Sequence, residues 1–426
     1  MIGAVADDFT GGTDVAVALR RAGLRTVVLF GQPDDHLVLP DADAVVIALK
    51  SRTIAPSDAV SQSITAVRWL RANGATQFFF KYCSTFDSTP RGNIGPVSDA
   101  IARELGVTTT VMTPSSPEHG RTQYMGNLYV GDLLLSESPM RHHPLTPMTD
   151  SFIPRVLESQ TEKSVALIDH RIISRGTDAI SARLAELREA RTGYVVVDAV
   201  SDQELRDIGA AIIDDVFVAG AAGLAGGIAS ARVARDGAEV EFAELVSDPV
   251  GDVPSVALAG SCSARTLEQI SVMQQTHPSF LLDAVAIPDS VELTTAALDW
   301  FDRQPDGSAP LIYSSLPPEQ LRETQKALGA GRASELLETA MGFIARGLVE
   351  RGVRRIVVAG GETSGAVVSA LDVQGGLIGS EVAPGVPWIY TTGENPTALL
   401  LKSGNFGEPE LLAHSVEAGR PAGVTS

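Results

Sequence analysis

Phe78-Phe79-Phe80-Lys81-Tyr82-Cys83-Ser84-Thr85-Phe86-Asp87-Ser88-Thr89-Pro90-Arg91-Gly92-Asn93-Ile94-Gly95 changes character partway along, and the change decides how the chain is read. Three consecutive phenylalanines between polar residues form the short apolar run of a strand covered on both faces, the mark of a parallel sheet. Beyond Phe80 come the cations Lys81 and Arg91, the carboxylate Asp87, the hydroxyls of Ser84, Thr85, Ser88 and Thr89, and a Gly92 to Gly95 opening to a helix. Such clusters are also ordinary loops, with their Lys and Arg simply solvated. So many convergent polar types directly after so apolar a strand argue instead for anion handling at the carboxyl end of the strand, where open α/β sheets bind ligands.

The amino terminus repeats the pattern. Ile2 to Ala6 is a strand that runs into Asp7-Asp8-Phe9-Thr10-Gly11-Gly12, followed by a helix to Ala22 and a strand at Thr26 to Phe30. One acid suffices to cap a helix, for about 1 kcal/mol. Two adjacent carboxylates repel unless a cation, a metal or a shared proton relieves them, so at least one of Asp7 and Asp8 is a candidate for substrate or catalysis. The Gly pair lacks the Gly-x-Gly-x-x-Gly spacing of a dinucleotide fingerprint. Strands at Ala44 to Leu49, Gln77 to Phe80, Thr108 to Met112, Val165 to Ile168, Tyr194 to Val197 and Asp214 to Val218 alternate with helices, which implies a mainly parallel sheet. Hairpin strands near Gln123 to Leu135 interrupt the alternation. They follow an irregular loop through Gly120-Arg121-Thr122, and a proline-rich excursion containing His142-His143 comes after them. No acidic or Cys partner sits at metal-ligand spacing from those histidines, so a solvated or hydrogen-bonded pair is expected there. The Ala219 to Gly227 run serves either tight helix packing or close approach to a ligand.

A chain of 426 residues with 44% apolar and 20% charged residues is an ordinary globular protein of two or three domains. Its net charge of −19 disfavours nucleic acid, whose binding is dominated by cation–phosphate contacts. Cys83 and Cys262 are too far apart to suggest a disulfide framework or a zinc site. No uncharged run of membrane-spanning length and no signal-peptide layout occurs, so a cytoplasmic protein without a membrane span is expected.

An acidic, irregular stretch marks a linker at 241–254, dividing a domain at 1–240 from one at 255–426. In the second domain, strand Ser255 to Ala259 feeds Gly260-Ser261-Cys262-Ser263, and strand Ile356 to Ala359 feeds Gly360-Gly361-Glu362-Thr363-Ser364-Gly365; each turn opens a helix. Free amides at the positive end of a helix dipole favour an anion, so the pair points to a phosphorylated ligand. The loop around Lys402 and Gly404 follows a third strand and completes the set, while no Gly-x-x-x-x-Gly-Lys string is present.

Asp7-Asp8-Phe9-Thr10-Gly11, the Lys81 to Gly95 stretch, Gly120-Arg121-Thr122, Gly260 to Ser263 and Gly360 to Gly365 together resemble the four-carbon acid sugar kinase family, in order and over essentially the whole chain. Lys81 to Thr89 and Met140 to Asp150 are most similar to its branch acting on 3-oxo-tetronates, with the threonate and erythronate kinases as nearest siblings. Gly12 and Ser115-Ser116 depart from the usual pattern. The resemblance implies an amino-terminal domain for the sugar acid, a carboxy-terminal domain for ATP, and an active site in the cleft between them, each domain a mainly parallel sheet flanked by helices. The 4-hydroxyl of the acid would be phosphorylated, with Mg²⁺ on the phosphates and Glu362 as its partner. Arg91, helped by Lys81, is expected at the substrate carboxylate, among Ser88, Thr89, Gly92, Asn93 and Arg121. Asp7, Asp8 or Asp87 would take the hydroxyl proton, with Asp8 favoured. Ser261, Ser263, Gly360, Gly361, Glu362, Thr363 and Gly404 would hold ATP. Homo-oligomerisation is left open. The rival readings are an NAD-linked sugar-acid dehydrogenase, which wants a tighter glycine fingerprint, and a non-catalytic sugar-acid sensor.

Overall fold

Apolar runs that alternate with amphipathic helices have only one economical arrangement, strands side by side with helices covering the faces, and both halves of the chain adopt it. The structure, a computed structural model, describes residues 1–34, 36–142, 146–237, 248–392, 395–402, 404 and 406–418, without the side chains of His142 and Ala330. The His142-His143 pair and residues 241–247 of the expected linker fall outside this description. The chain separates into two compact units, Met1–Leu245 and Val246–Ser426.

In the first unit the strands are β1 (Ile2–Ala6), β2 (Thr26–Phe30), β3 (Ala44–Ala48), β4 (Gln77–Lys81), β5 (Thr110–Thr113), β6 (Arg121–Tyr124), β7 (Asn127–Val130), β8 (Leu133–Leu134), β9 (Val165–Ile168), β10 (Tyr194–Val197) and β11 (Phe217–Gly220). Its helices are α1 (Phe9–Arg21), α2 (Pro56–Ala72), α3 (Ile94–Leu105), α4 (Ile153–Glu158), α5 (His170–Ile173), α6 (Thr177–Glu189), α7 (Asp202–Ala211) and α8 (Ala222–Asp236). Eight strands form a parallel sheet in the order β2-β3-β1-β4-β11-β5-β10-β9. β6, β7 and β8 make a separate antiparallel sheet, matching the expected hairpin. β1, β3 and β4 end together, with Ala6 paired to both Ala48 and Lys81, so the polar residues that follow each strand emerge at one edge. The sheet core is apolar, with Val5, Val46, Ile47, Phe79, Phe80 and Val196 almost fully buried. Gly209 and Gly227 meet where α7 crosses α8, a packing role for part of the small-residue run.

The second unit contains β12 (Ser255–Ala259), β13 (Ser279–Leu281), β14 (Leu311–Tyr313), β15 (Arg355–Ala359), β16 (Gly375–Ala383), β17 (Val386–Thr391) and β18 (Ala398–Lys402). Its helices are α9 (Ala264–Met273), α10 (Ser290–Phe301), α11 (Pro318–Leu328), α12 (Ala330–Glu350), α13 (Gly361–Ala370) and α14 (Leu411–Val416). Strands run β13-β14-β12-β15-β18 in parallel, then β17 and β16 turn antiparallel. Arg355, buried at the start of β15, pairs with Asp248 at 2.6 Å, donates to the Gly251 carbonyl at 2.9 Å and lies over the Trp388 ring, tying residues 248–251 to this sheet. Among the described residues no helix is long and apolar enough to cross a membrane.

Candidate functional site

Two polar clusters stand at the carboxyl ends of parallel strands, one in each unit. In the first, Asp8 starts α1: its Oδ1 accepts from the Gly11 amide at 2.7 Å as an N-cap. That leaves Oδ2 for a cation. The cation is Arg52, whose Nη1 lies 2.9 Å from Asp8 Oδ2 while its Nε and Nη2 grip Asp7 at 2.9 and 2.7 Å. One guanidinium thus relieves the two adjacent carboxylates. Asp7 is nearly inaccessible, its side chain 7% exposed, whereas that of Asp8 is 31% exposed. Burial holds the Asp7 carboxyl above its ordinary value, the Arg52 guanidinium acting against it. Burial also works against the charge on Arg52, but Asp7 and Asp8 outweigh it and hold the guanidinium above its ordinary value.

Lys81 closes the other side. Its ammonium donates to the Tyr82 carbonyl at 2.9 Å and lies 3.8 Å from Asp14, with the side chain 3% exposed. Gly11 sits between the two groups: a Cβ added there would press on Asp8 Oδ1 and come within 3.1 Å of Lys81 Nζ. Asp8 and Lys81 therefore converge on one point above the sheet.

The loop after β4 turns at Phe86, which takes a φ of +51°, rare for a bulky residue, with its ring fully buried edge-on to Tyr82 at 5.2 Å. Asp87 accepts from Thr85 Oγ1 at 2.6 Å and Cys83 Sγ at 3.1 Å, and burial pushes the Cys83 thiol up. Asn93 lies just before α3, where its side-chain amide serves the Ser51, Arg52 and Ile54 carbonyls at 2.7 to 3.2 Å. It thereby fixes the loop that carries Arg52. Ser88 is buried and Thr89 half-buried; Arg91 is exposed, with no ion-pair partner among the described residues. Gly92 begins the approach to α3. Arg121 belongs to the hairpin sheet and donates to the His119 carbonyl, apart from the Asp8–Lys81 convergence in its bonding.

In the second unit Gly360 precedes α13 with a φ of +130°, and a Cβ there would stand 3.0 Å from the Ser261 amide. Glycine is required on both counts. No side chain caps α13, so its first amides open onto a cavity of about 420 Å³. Gly260, Ser261 and Gly360 to Thr363 line the polar wall; Leu316, Leu321, Leu337 and Met341 supply an apolar one. A polar anion cradle facing an apolar slot suits a nucleotide. Ser263 is engaged otherwise: its hydroxyl caps α9, accepting from Thr266 N at 3.2 Å, and donates to the Gly404 carbonyl at 2.7 Å. Lys402 and Thr266 donate to the same carbonyl at 3.1 and 2.8 Å. Burial, with Arg265 nearby, pushes the Lys402 ammonium down to about 8.

Sequence reasoning missed Arg52 and the apolar wall. Arg52 does follow an apolar strand through Lys50-Ser51, a signal of the kind that revealed Lys81. Leu321 on α11 and Leu337 and Met341 on α12 read as ordinary helix faces, and only the tertiary fold brings them opposite Gly360.

A sugar-binding N-terminal domain model matches residues 2–228, and a nucleotide-binding C-terminal domain model matches residues 256–412. The chain belongs to the family these two domains define, and the resemblance to the four-carbon acid sugar kinases is borne out. Among its relatives, the 3-oxo-tetronate kinase of Methylobacterium radiotolerans is 46% identical over 98% of both chains. That of Pseudomonas fluorescens is 48% identical over 96% of this chain and 94% of the other. The solved structure of a Haemophilus influenzae protein superposes with a TM-score of 0.86 at 38% identity, covering 98% of this chain and all of that one.

Proposed function

We propose that this protein is an ATP-dependent 3-oxo-tetronate kinase that phosphorylates the 4-hydroxyl of its four-carbon acid and releases ADP. Near-full-length identity of 46% and 48% to proteins of that name supports the substrate. The observation that carries the chemistry is the opposite character of the two clusters: cations and carboxylates in the sugar-binding half, an uncapped glycine-led helix start facing an apolar slot in the nucleotide-binding half.

Arg91 and Lys81 hold the substrate carboxylate, Arg91 through its planar fork. Ser88, Thr89, Asn93 and the Gly92 turn shape the pocket around it. Asp8 orients the 4-hydroxyl and accepts its proton; Asp7, buried and gripped by Arg52, braces Asp8 rather than exchanging protons. Asp87 is the alternative base. Gly360, Gly361 and Thr363 cradle phosphate with Ser261, while Ser263 shapes the cradle through Gly404. In-line transfer needs the acceptor oxygen within about 3–3.5 Å of phosphorus, so the reaction takes place in the cleft where acid and nucleotide meet.

Among the described residues no three His, Cys, Asp or Glu side chains group to hold a metal. Mg²⁺ in kinases binds through phosphates and one or two carboxylates. Glu362, exposed in the first turn of α13 and lining the cavity, would hold it there; when bound it neutralises phosphate charge. The acceptor and ATP are small molecules of the cytoplasm, where we place the reaction. Coupled ADP release with Mg²⁺, ATP and a panel of four-carbon acids tests the proposal. Turnover fastest with a 3-oxo-tetronate is expected; preference for threonate or erythronate would reassign the substrate, and no turnover with any acid would overturn the reading.

A further inference from the structure

Gln160, two residues beyond the end of α4, is buried and far in sequence from the β4 loop, yet every polar atom of its side chain is spent on that loop and the helix start that follows it. Its Nε2 donates to Ser88 Oγ at 2.7 Å and to the Thr89 carbonyl at 2.8 Å, and its Oε1 accepts from the Gly95 amide at 2.8 Å. The Thr89 carbonyl also accepts from the Gly92 amide at 2.7 Å, closing a turn with Arg91 as its third residue. The neighbour Thr161 is itself tethered, donating to Asp99 on α3 at 2.9 Å. Gly95 belongs to the same design, since a Cβ there would come within 2.6 Å of Gln160 Cβ and 2.7 Å of its carbonyl oxygen.

From this geometry we infer that Gln160 is the positioning residue of the acid site: it sets the Thr89–Gly92 turn and the start of α3, and through them the aim of Arg91. The inference rests on the proposed role of Arg91. Only a primary amide supplies two donors and an acceptor at this spot. A carboxylate keeps the bond to Gly95 but sets oxygen against the Thr89 carbonyl, and a thioether loses all three bonds. An aim lost by even 1 Å is costly to positioning.

The test uses the full chain with Gln160→Met, Gln160→Glu, Arg91→Met and the Gln160→Met/Arg91→Met double variant. Steady-state kinetics and calorimetric titration of the acid are read together. Gln160→Met is expected to weaken the acid at least tenfold in KM and Kd with the ATP KM within twofold, and Gln160→Glu to fall between it and the wild type. Because Gln160 acts through Arg91, the double variant should be no worse than the poorer single one. An acid KM unchanged within twofold, equal losses for ATP, or losses that multiply in the double variant would each overturn the inference. If Gln160→Met does not fold, Gln160→Glu carries the comparison. A wild-type protein that binds acid without transferring phosphate would sink the kinase reading, while the calorimetry would still decide on Gln160.

Discussion

Removing the Arg52 guanidinium as Arg52→Met strips a buried carboxylate of its bidentate partner while preserving much of the side-chain volume. Asp7 keeps a 7% exposed side chain and loses hydrogen bonds of 2.9 and 2.7 Å, leaving its charge uncompensated. Breaking such a buried pair from one side costs about 3–5 kcal/mol, a large share of the roughly 5–15 kcal/mol that holds a domain. Trp69 is the tryptophan of the first unit, so urea unfolding in a Trp300→Phe/Trp388→Phe background reads that unit alone. The cost should depend on pH. Burial already raises the Asp7 carboxyl above 3.8, and without the guanidinium that influence is opposed less. Between the unfolded and the raised folded pKa the native state binds the extra proton, so stability falls as pH rises through that window. Arg52→Met should therefore be clearly more stable at pH 5 than at pH 8, and Asp7→Asn/Arg52→Met should recover most of the loss. A cost below about 1 kcal/mol at neutral pH, or one equal at both pH values, would refute the reasoning.

Asp8→Asn keeps an N-cap for α1 but removes the proposed base; kcat should fall about 10²–10⁴-fold with little change in melting temperature, and near-full turnover would transfer the role to Asp87. Gly361→Val places its side chain where no protein atom lies within 4 Å, in space the nucleotide needs. Calorimetry should show ATP binding lost and acid binding retained, with stability changed by less than about 1 kcal/mol. Arg91→Met should raise the acid KM far more than the ATP KM, and the reverse pattern would undo the division of labour. Lys402, lowered from 10.5 to about 8 chiefly by burial, binds fewer protons folded than unfolded between those values. Stability of the second unit, read by Trp388, should therefore rise from pH 8 towards 10.5 by up to about 3 kcal/mol relative to Lys402→Met; parallel curves would contradict the buried charge.

Strands were legible wherever the sequence carried an unbroken apolar run. Val165–Ile168, Tyr194–Val197 and Ser255–Ala259 were read to the residue, and β4 within one. β5 and β11 came out shifted towards the carboxyl end: the threonines before β5 carry no break that marks a boundary, whereas Asp214-Asp215 belong to the turn before β11. Asp7 and Asp8 were legible as a pair needing relief. The relieving group was not, since Arg52 becomes their neighbour only when β3 lies beside β1. Gln160 gave no signal at all: a lone glutamine after a short helix acquires meaning only from the turn it faces.

Asn93 reaches back to the segment carrying Arg52, and Gln160 reaches back from beyond α4 to the same helix start. On the proposed acid site, acid preference in this chain is consequently not a cassette. Exchanging 84–95 for the corresponding stretch of a relative with another preference would import side chains while severing their mountings, and a working chimera would need 51–54 and 160 to travel with it.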